Sequence, residues 1–197
     1  MKCRELGEGK MEDFAKVAVE LGATTAKVID PKSVVTAPWT LNKCKYGCKN
    51  YNKRQCCPPI ATTYKEMQVL LDTYEKALLI QCLDPYDVNH VLRKMLDWLG
   101  KQGYYKCLGY GAKKCEICRD EYGEECSFPD CKHADKVIPQ MDGSGIDVIQ
   151  TVINNGYEEH GVKAWGDSTG FKVLPHEKGG KDWRESGINF YGMILLY

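Results

Sequence analysis

Eight of the eleven cysteines in this 197-residue chain fall in two short polar segments, which restricts the fold more than any other feature. The first segment, Asn42 to Pro59, holds Cys44, Cys48, Cys56 and Cys57. The second, Lys113 to Cys131, holds Cys115, Cys118, Cys126 and Cys131. Neither has an apolar period, so neither can be ordered by burying a hydrophobic face. Both are predicted to be loops, ordered by whatever their thiols bind.

The chain around them is conventional. Phe14, Val17, Ala18 and Leu21 recur at helical spacing within Met11 to Leu21, and Gly22 stops the pattern. Thr24 to Ile29 and Ser33 to Thr36 read as short strands around an Asp30-Pro31 turn. Thr63 and Glu66 form a capping box ahead of a helical stripe of Tyr64, Met67, Leu70, Leu71 and Tyr74. Lys76 to Leu83 is predicted as a buried strand, and Val88, Val91, Leu92, Met95, Leu96 and Leu99 as an amphipathic helix ending at Gly100. A further helix, carrying Ile146, Ile149, Val152 and Ile153, is closed by Asn155-Gly156, and Ile188 to Tyr197 is strand-like. The expectation is one domain over residues 1–197, α/β or α+β, with a small mixed sheet, flanking helices and two projecting cysteine-rich metal-binding loops.

Composition narrows the function. Apolar residues at 43% and charged residues at 27% are those of a globular protein. Lys+Arg and Asp+Glu both number 27, so no basic excess argues for nucleic acid as a main partner. The first ten residues lack the apolar run of a signal peptide, and the longest apolar stretch, Ala77 to Leu83, is too short to cross a bilayer. The expected compartment is the cytoplasm, where clustered thiols serve as metal ligands or catalysts more often than as disulfides.

In the second loop, Cys115 and Cys118 stand three apart, a spacing at which one tight turn presents both sulfurs to one centre. Cys126 and Cys131 complete a four-thiolate set suited to tetrahedral zinc or a [4Fe–4S] cluster. In the first loop Cys44, Cys48 and Cys57 are the natural ligands, and Cys57-Pro58 echoes the Cys-Pro that ends ferredoxin ligand runs, which favours iron over zinc. Cys56 is a candidate fourth ligand, although adjacent cysteines rarely reach one centre without strain. Otherwise one iron is open to substrate, or held by Cys3, Cys82 or Cys107. Cys82 and Cys107 read as core thiols, Cys3 as a terminal one, and His133, two residues past Cys131, as a solvated histidine. His90, His160 and His176 have no ligand pattern around them. Lys43, Lys45, Lys49, Lys53 and Arg54 form a local basic patch that is a solvated surface, a dock for an acidic redox partner or a stabiliser of an anionic cluster. Phosphate-binding and nucleophile-elbow motifs are absent, and the thiols downstream of Cys115-x-x-Cys118 favour metal over a thioredoxin-like pair.

Several of these motifs together resemble a known family. They are Cys44-x-x-x-Cys48-x-x-Tyr51 running to Cys57-Pro-Pro59, Tyr74-Glu-Lys-Ala-Leu-Leu79, Cys115-x-x-Cys118, and Pro139-x-Met141 leading to Gly145-Ile-Asp-Val148. With the ending Asn189 to Tyr197, they resemble a cysteine-rich family known as predicted metal-binding proteins, of methanogens and other anaerobes. The resemblance implies a small cytoplasmic protein carrying iron–sulfur clusters. Glu121 stands where the family often has a third cysteine, with Cys126 as its substitute, and Gln140 stands where the family usually has serine. The reading is an iron–sulfur protein with one or two [4Fe–4S] clusters. It would transfer electrons to, or mature, a partner redox enzyme, and be a non-catalytic carrier or accessory protein. A structural zinc adaptor and an enzyme with an open iron at the first cluster are the alternatives.

Overall fold

A computed structural model of the chain describes residues 8–157 and 189–197. Helix α1 (Glu8–Glu20) comes first, and Gly22 at φ 115° turns the chain into strand β1 (Thr25–Ile29). Helices α2 (Pro38–Gly47) and α3 (Tyr64–Leu71) precede strand β2 (Lys76–Cys82). Then come the long helix α4 (Pro85–Lys101), strand β3 (Leu108–Tyr110), the short helix α5 (Ile117–Tyr122), helix α6 (Val148–Asn154) and strand β4 (Phe190–Leu196).

The four strands form one sheet in the order β1-β2-β4-β3. Every pairing is antiparallel, with Lys27 opposite Leu79, Leu79 opposite Met193, and Tyr110 opposite Met193. Among the described residues the one parallel pairing is an isolated bridge from Gly111 to Gln140, outside the four strands. The fold therefore falls on the α+β side of the expectation, with helices covering both sheet faces.

Alternation along the central strands builds two cores. Leu78, Ile80, Ile194 and Leu196 face α1 and α4, meeting Phe14, Ala18, Val88, Leu92, Met95 and Leu99. Ala77, Leu79, Met193 and Leu195 face the other way, onto Met67 and Leu71 of α3, Met141, Ile146 and Val152. Burying both faces explains why β2 reads as a continuous apolar run. Each buried Val, Leu, Ile, Met or Phe among them contributes about 1.5–3 kcal/mol of transfer free energy. Helix α4 lies close on the sheet because position 192 is glycine: a Cβ there would stand 2.6 Å from Val88 Cγ1 and 2.9 Å from Leu92 Cδ1.

Helix starts follow their caps. Asp84 accepts from the Tyr86 amide at 2.7 Å and Pro85 takes the first helical position of α4. The Thr63–Glu66 capping box is formed, with the Thr63 amide donating to Glu66 Oε2 at 2.8 Å and the Glu66 amide to Thr63 Oγ1 at 3.3 Å. Two expectations need correction. Ser33 to Thr36 is not a strand: Asp30 accepts from the Lys32 amide and starts a 3₁₀ turn over Pro31–Ser33, leaving only a bridge from Thr36 to Ile146. Nor are the cysteine segments pure loop, since α2 runs into the first and α5 lies in the second. Cys3, His160 and His176 lie outside the described residues.

Candidate metal centre

The first cysteine segment is anchored at both ends. The Ala37 amide donates to Gly145 O at 2.8 Å and buried Thr40 returns its hydroxyl to Ala37 O at 3.0 Å, fixing the start of α2. Cys44 lies in the last turn of that helix, and the Cys48 amide closes it on Cys44 O. Successive turns, Tyr51 N–H to Cys48 O, Cys57 N–H to Arg54 O and Asn52 N–H to Pro58 O, fold the chain back on itself. Cys56 and Cys57 end fully buried, Cys44 half-buried and Cys48 exposed. The turn following Pro139 packs beneath them. The Cys57 thiol lies 3.7 Å from Gln140 Oε1, and a Cβ on Gly143 would sit 3.5 Å from both Cys56 O and Pro58 Cδ.

The second segment leaves β3 through Gly111 and Ala112. The Gly111 amide donates to Pro139 O at 2.7 Å and the Ala112 amide to Asn89 Oδ1 at 3.0 Å. The Cys115 amide then donates to Cys56 Sγ at 3.0 Å, joining the two segments. Helix α5 follows, and Gly123, at φ 65°, lets the Glu124 amide reach Cys118 O. Cys115, Cys118, Cys126 and Cys131 line one narrow cavity, together with His133 and Arg54. His133, expected to be solvated, stacks flat on Tyr122 with centroids 3.9 Å apart, and its buried Nε2 has no hydrogen-bond partner among the described residues. Glu116, at the same cavity, is buried beneath three cations: Lys113, Lys114 at 3.4 Å and Arg119 at 2.7 Å. Burial opposes its ionisation, but the cations outweigh it and hold the carboxyl below the ordinary range.

Electrostatics separate the cysteines into two neighbouring sets. Burial pushes the Cys44 thiol up to about 12, with Asp142 and Cys48 adding to it and Lys43 offsetting it. Cys57 is pushed up by its contact with Cys56 and by burial, and also feels Cys48 and Cys44. Cys115 is raised by burial and senses Cys56 and Cys131. Cys56 stands between the sets. Its sulfur is 3.7 Å from that of Cys57, and accepting from Cys57 and from the Cys115 amide lowers its pKa despite burial. Adjacent cysteines thus serve different neighbourhoods, Cys57 toward Cys44 and Cys48, Cys56 toward Cys115. Cys82 is buried in the sheet core and Cys107 packs against the same core. Among the described residues, no three Cys, His, Asp or Glu side chains stand together in a geometry that holds a single metal ion.

Spacing alone did not reveal Gln140, Glu116 or Asp142 as neighbours of the thiols. Gln140 had left a trace, as the position that departs from the family pattern beside Pro139. Among the described residues no helix is long and apolar enough to cross a membrane. No curated protein and no solved structure matches the chain. A family model described as predicted metal-binding protein (DUF2284) matches residues 27–196, which include all eight clustered cysteines and, among the described residues, strands β2, β3 and β4 entirely. The chain belongs to this predicted metal-binding protein family.

Proposed function

We propose that the chain is a cytoplasmic iron–sulfur protein that holds up to two [4Fe–4S] clusters and exchanges single electrons with a partner redox enzyme, or helps to mature one. The observation that carries this reading is the convergence of Cys115, Cys118, Cys126 and Cys131 on one cavity, with the Cys56-Cys57 pair joining it to Cys44 and Cys48. The donor set fits the group: soft thiols outnumber every other ligand type there. Cys115, Cys118, Cys126 and Cys131 would hold one cluster, and Cys44, Cys48 and Cys57, with Cys56 beside them, the other. Such a cluster supplies one-electron storage at a potential set by hydrogen bonds to sulfur and by solvent exposure. The amides of Cys115, donating to Cys56 Sγ at 3.0 Å, and Asn50, donating to Cys48 Sγ at 3.4 Å, stabilise thiolate charge. Burial raises the Cys44 thiol, and the contact with Cys56 together with burial raises that of Cys57, so loading the first set would release protons.

One observation favours a second reading, structural zinc: the buried His133 Nε2 at the cavity wall, without a hydrogen-bond partner among the described residues, would add a nitrogen ligand to the cysteines in a mixed site. Anaerobic purification followed by iron, acid-labile sulfide and zinc assays with a visible spectrum separates the two. The iron–sulfur reading expects roughly eight irons and as many sulfides for two cubanes. Stoichiometric zinc without labile sulfide would end it.

A further inference from the structure

The cations are unevenly spread along this formally neutral chain. Between Asp30 and Glu66 stand Lys32, Lys43, Lys45, Lys49, Lys53, Arg54 and Lys65, with no Asp or Glu among them. The segment therefore carries a formal +7 and the remainder −7. It wraps the first cysteine set and contains its exposed member, Cys48. Lys45, Lys49 and Lys53 are exposed and enter no ion pair among the described residues. Around the second set the charges are neutralised locally: Lys113, Lys114 and Arg119 on Glu116, Lys132 on Glu124 and Lys136 on Glu121. The same basic segment also exposes Trp39 at 45%, Tyr46 at 79% and Ile60 at 42%. Aromatic anchors with a charged surround are the composition of protein–protein contacts, and small polar interfaces suit transient redox encounters.

We infer that this face, around Cys48, is the docking surface for an acidic electron-transfer protein, an inference that rests on the electron-exchange reading above. Complementary charge would steer the partner to the most solvent-accessible thiolate of the first set. Nucleic acid is the less favoured occupant because the chain has no net positive charge to attract a polyanion from a distance.

The test measures binding of the anaerobically purified holoprotein to two acidic probes, a plant-type ferredoxin and a flavodoxin, by calorimetry at about 50 mM and about 300 mM salt, where screening lengths differ by about 2.5-fold. Binding to at least one probe is expected to weaken about tenfold or more at the higher salt, and similarly in a combined Lys45→Glu, Lys49→Glu, Lys53→Glu variant with unchanged metal content. Lys101→Glu, on α4, should bind as the parent does. If the triple reversal fails to load metal, the corresponding Lys→Gln triple gives the same comparison, and the parent's salt dependence stands by itself. Binding by neither probe, binding indifferent to salt or to the triple change, or tighter binding of a single-stranded RNA than of both probes would overturn the inference. Concentration-dependent self-association abolished by the triple change would also overturn it, assigning the face to a second copy. Zinc content with salt-dependent docking intact would instead sink the iron–sulfur reading and leave the docking face standing.

Discussion

Replacing Gly145 with alanine should uncouple the first cysteine segment from the core, and the cost can be worked from the geometry. Gly145 closes the turn after Met141 at φ 83°, ψ 10°, in the left-handed region. An L side chain there costs about 1–2 kcal/mol. A Cβ would also lie 2.5 Å from Tyr64 Cβ and 2.7 Å from Tyr64 N, and no rotamer can move backbone atoms out of the way. Overpacking of that kind costs about 1–3 kcal/mol, so the total is about 2–5 kcal/mol against a stability of about 5–15 kcal/mol. Gly103 supplies the control, because its φ is 91° but nothing lies within 4 Å of a Cβ added there. Gly103→Ala should therefore cost only the conformational part. The assay is anaerobic urea unfolding of both variants by circular dichroism, comparing midpoints at unchanged slope. Equal destabilisation by the two substitutions would refute the close approach of Gly145 to the start of α3.

Three further outcomes follow from particular residues. Thr63→Ala should cost about 1 kcal/mol, and the stability advantage of the parent over Glu66→Ala should fade in acid. The Glu66 carboxyl is held below its ordinary value by the Thr63 amide, so its contribution is present above the unfolded carboxylate pKa and is lost as pH falls through the depressed one. Cys82 is pushed up to about 11 by burial, so the parent should lose up to about 2–3 kcal/mol relative to Cys82→Ala as pH rises from the ordinary thiol value toward that one. Urea midpoints between neutral and alkaline pH measure the difference, and a constant gap would contradict it. Cys57→Ser should remove about half the bound iron of a two-cubane protein, whereas Cys56→Ser should leave iron content unchanged. Loss of iron in Cys56→Ser would make Cys56 a required ligand.

Much of the fold was legible because long periodic segments carry their own signal. The stripe from Val88 to Leu99, the apolar run Ala77 to Ile80 in β2 and the Thr63–Glu66 box each specify one local structure, and β2 and β4 are central strands whose faces are both buried. The failures have physical causes. The Asp30 side chain captures the Lys32 amide and diverts Pro31–Ser33 into a 3₁₀ turn despite the β-branched residues that follow. Helix α2 carries no periodic signal because it buries Thr40 while exposing Trp39 and Tyr46, so its order comes from docking on Gly145 rather than from an apolar stripe. Helix α5 is six residues long with only Ile117 and Cys118 buried, too little for a period. The grouping of thiols within each segment could be anticipated from spacing, but the orientation of Cys56 toward Cys115 depends on a long-range hydrogen bond that no local pattern encodes.

The central claim, that these thiols gather iron and sulfide rather than zinc, is tested most directly by native mass spectrometry of the anaerobically purified protein. The account predicts discrete species heavier than the bare chain by one and two [4Fe–4S] units, collapsing to the bare chain on acid treatment. A single species carrying zinc alone, with no cluster-sized increment, would contradict it.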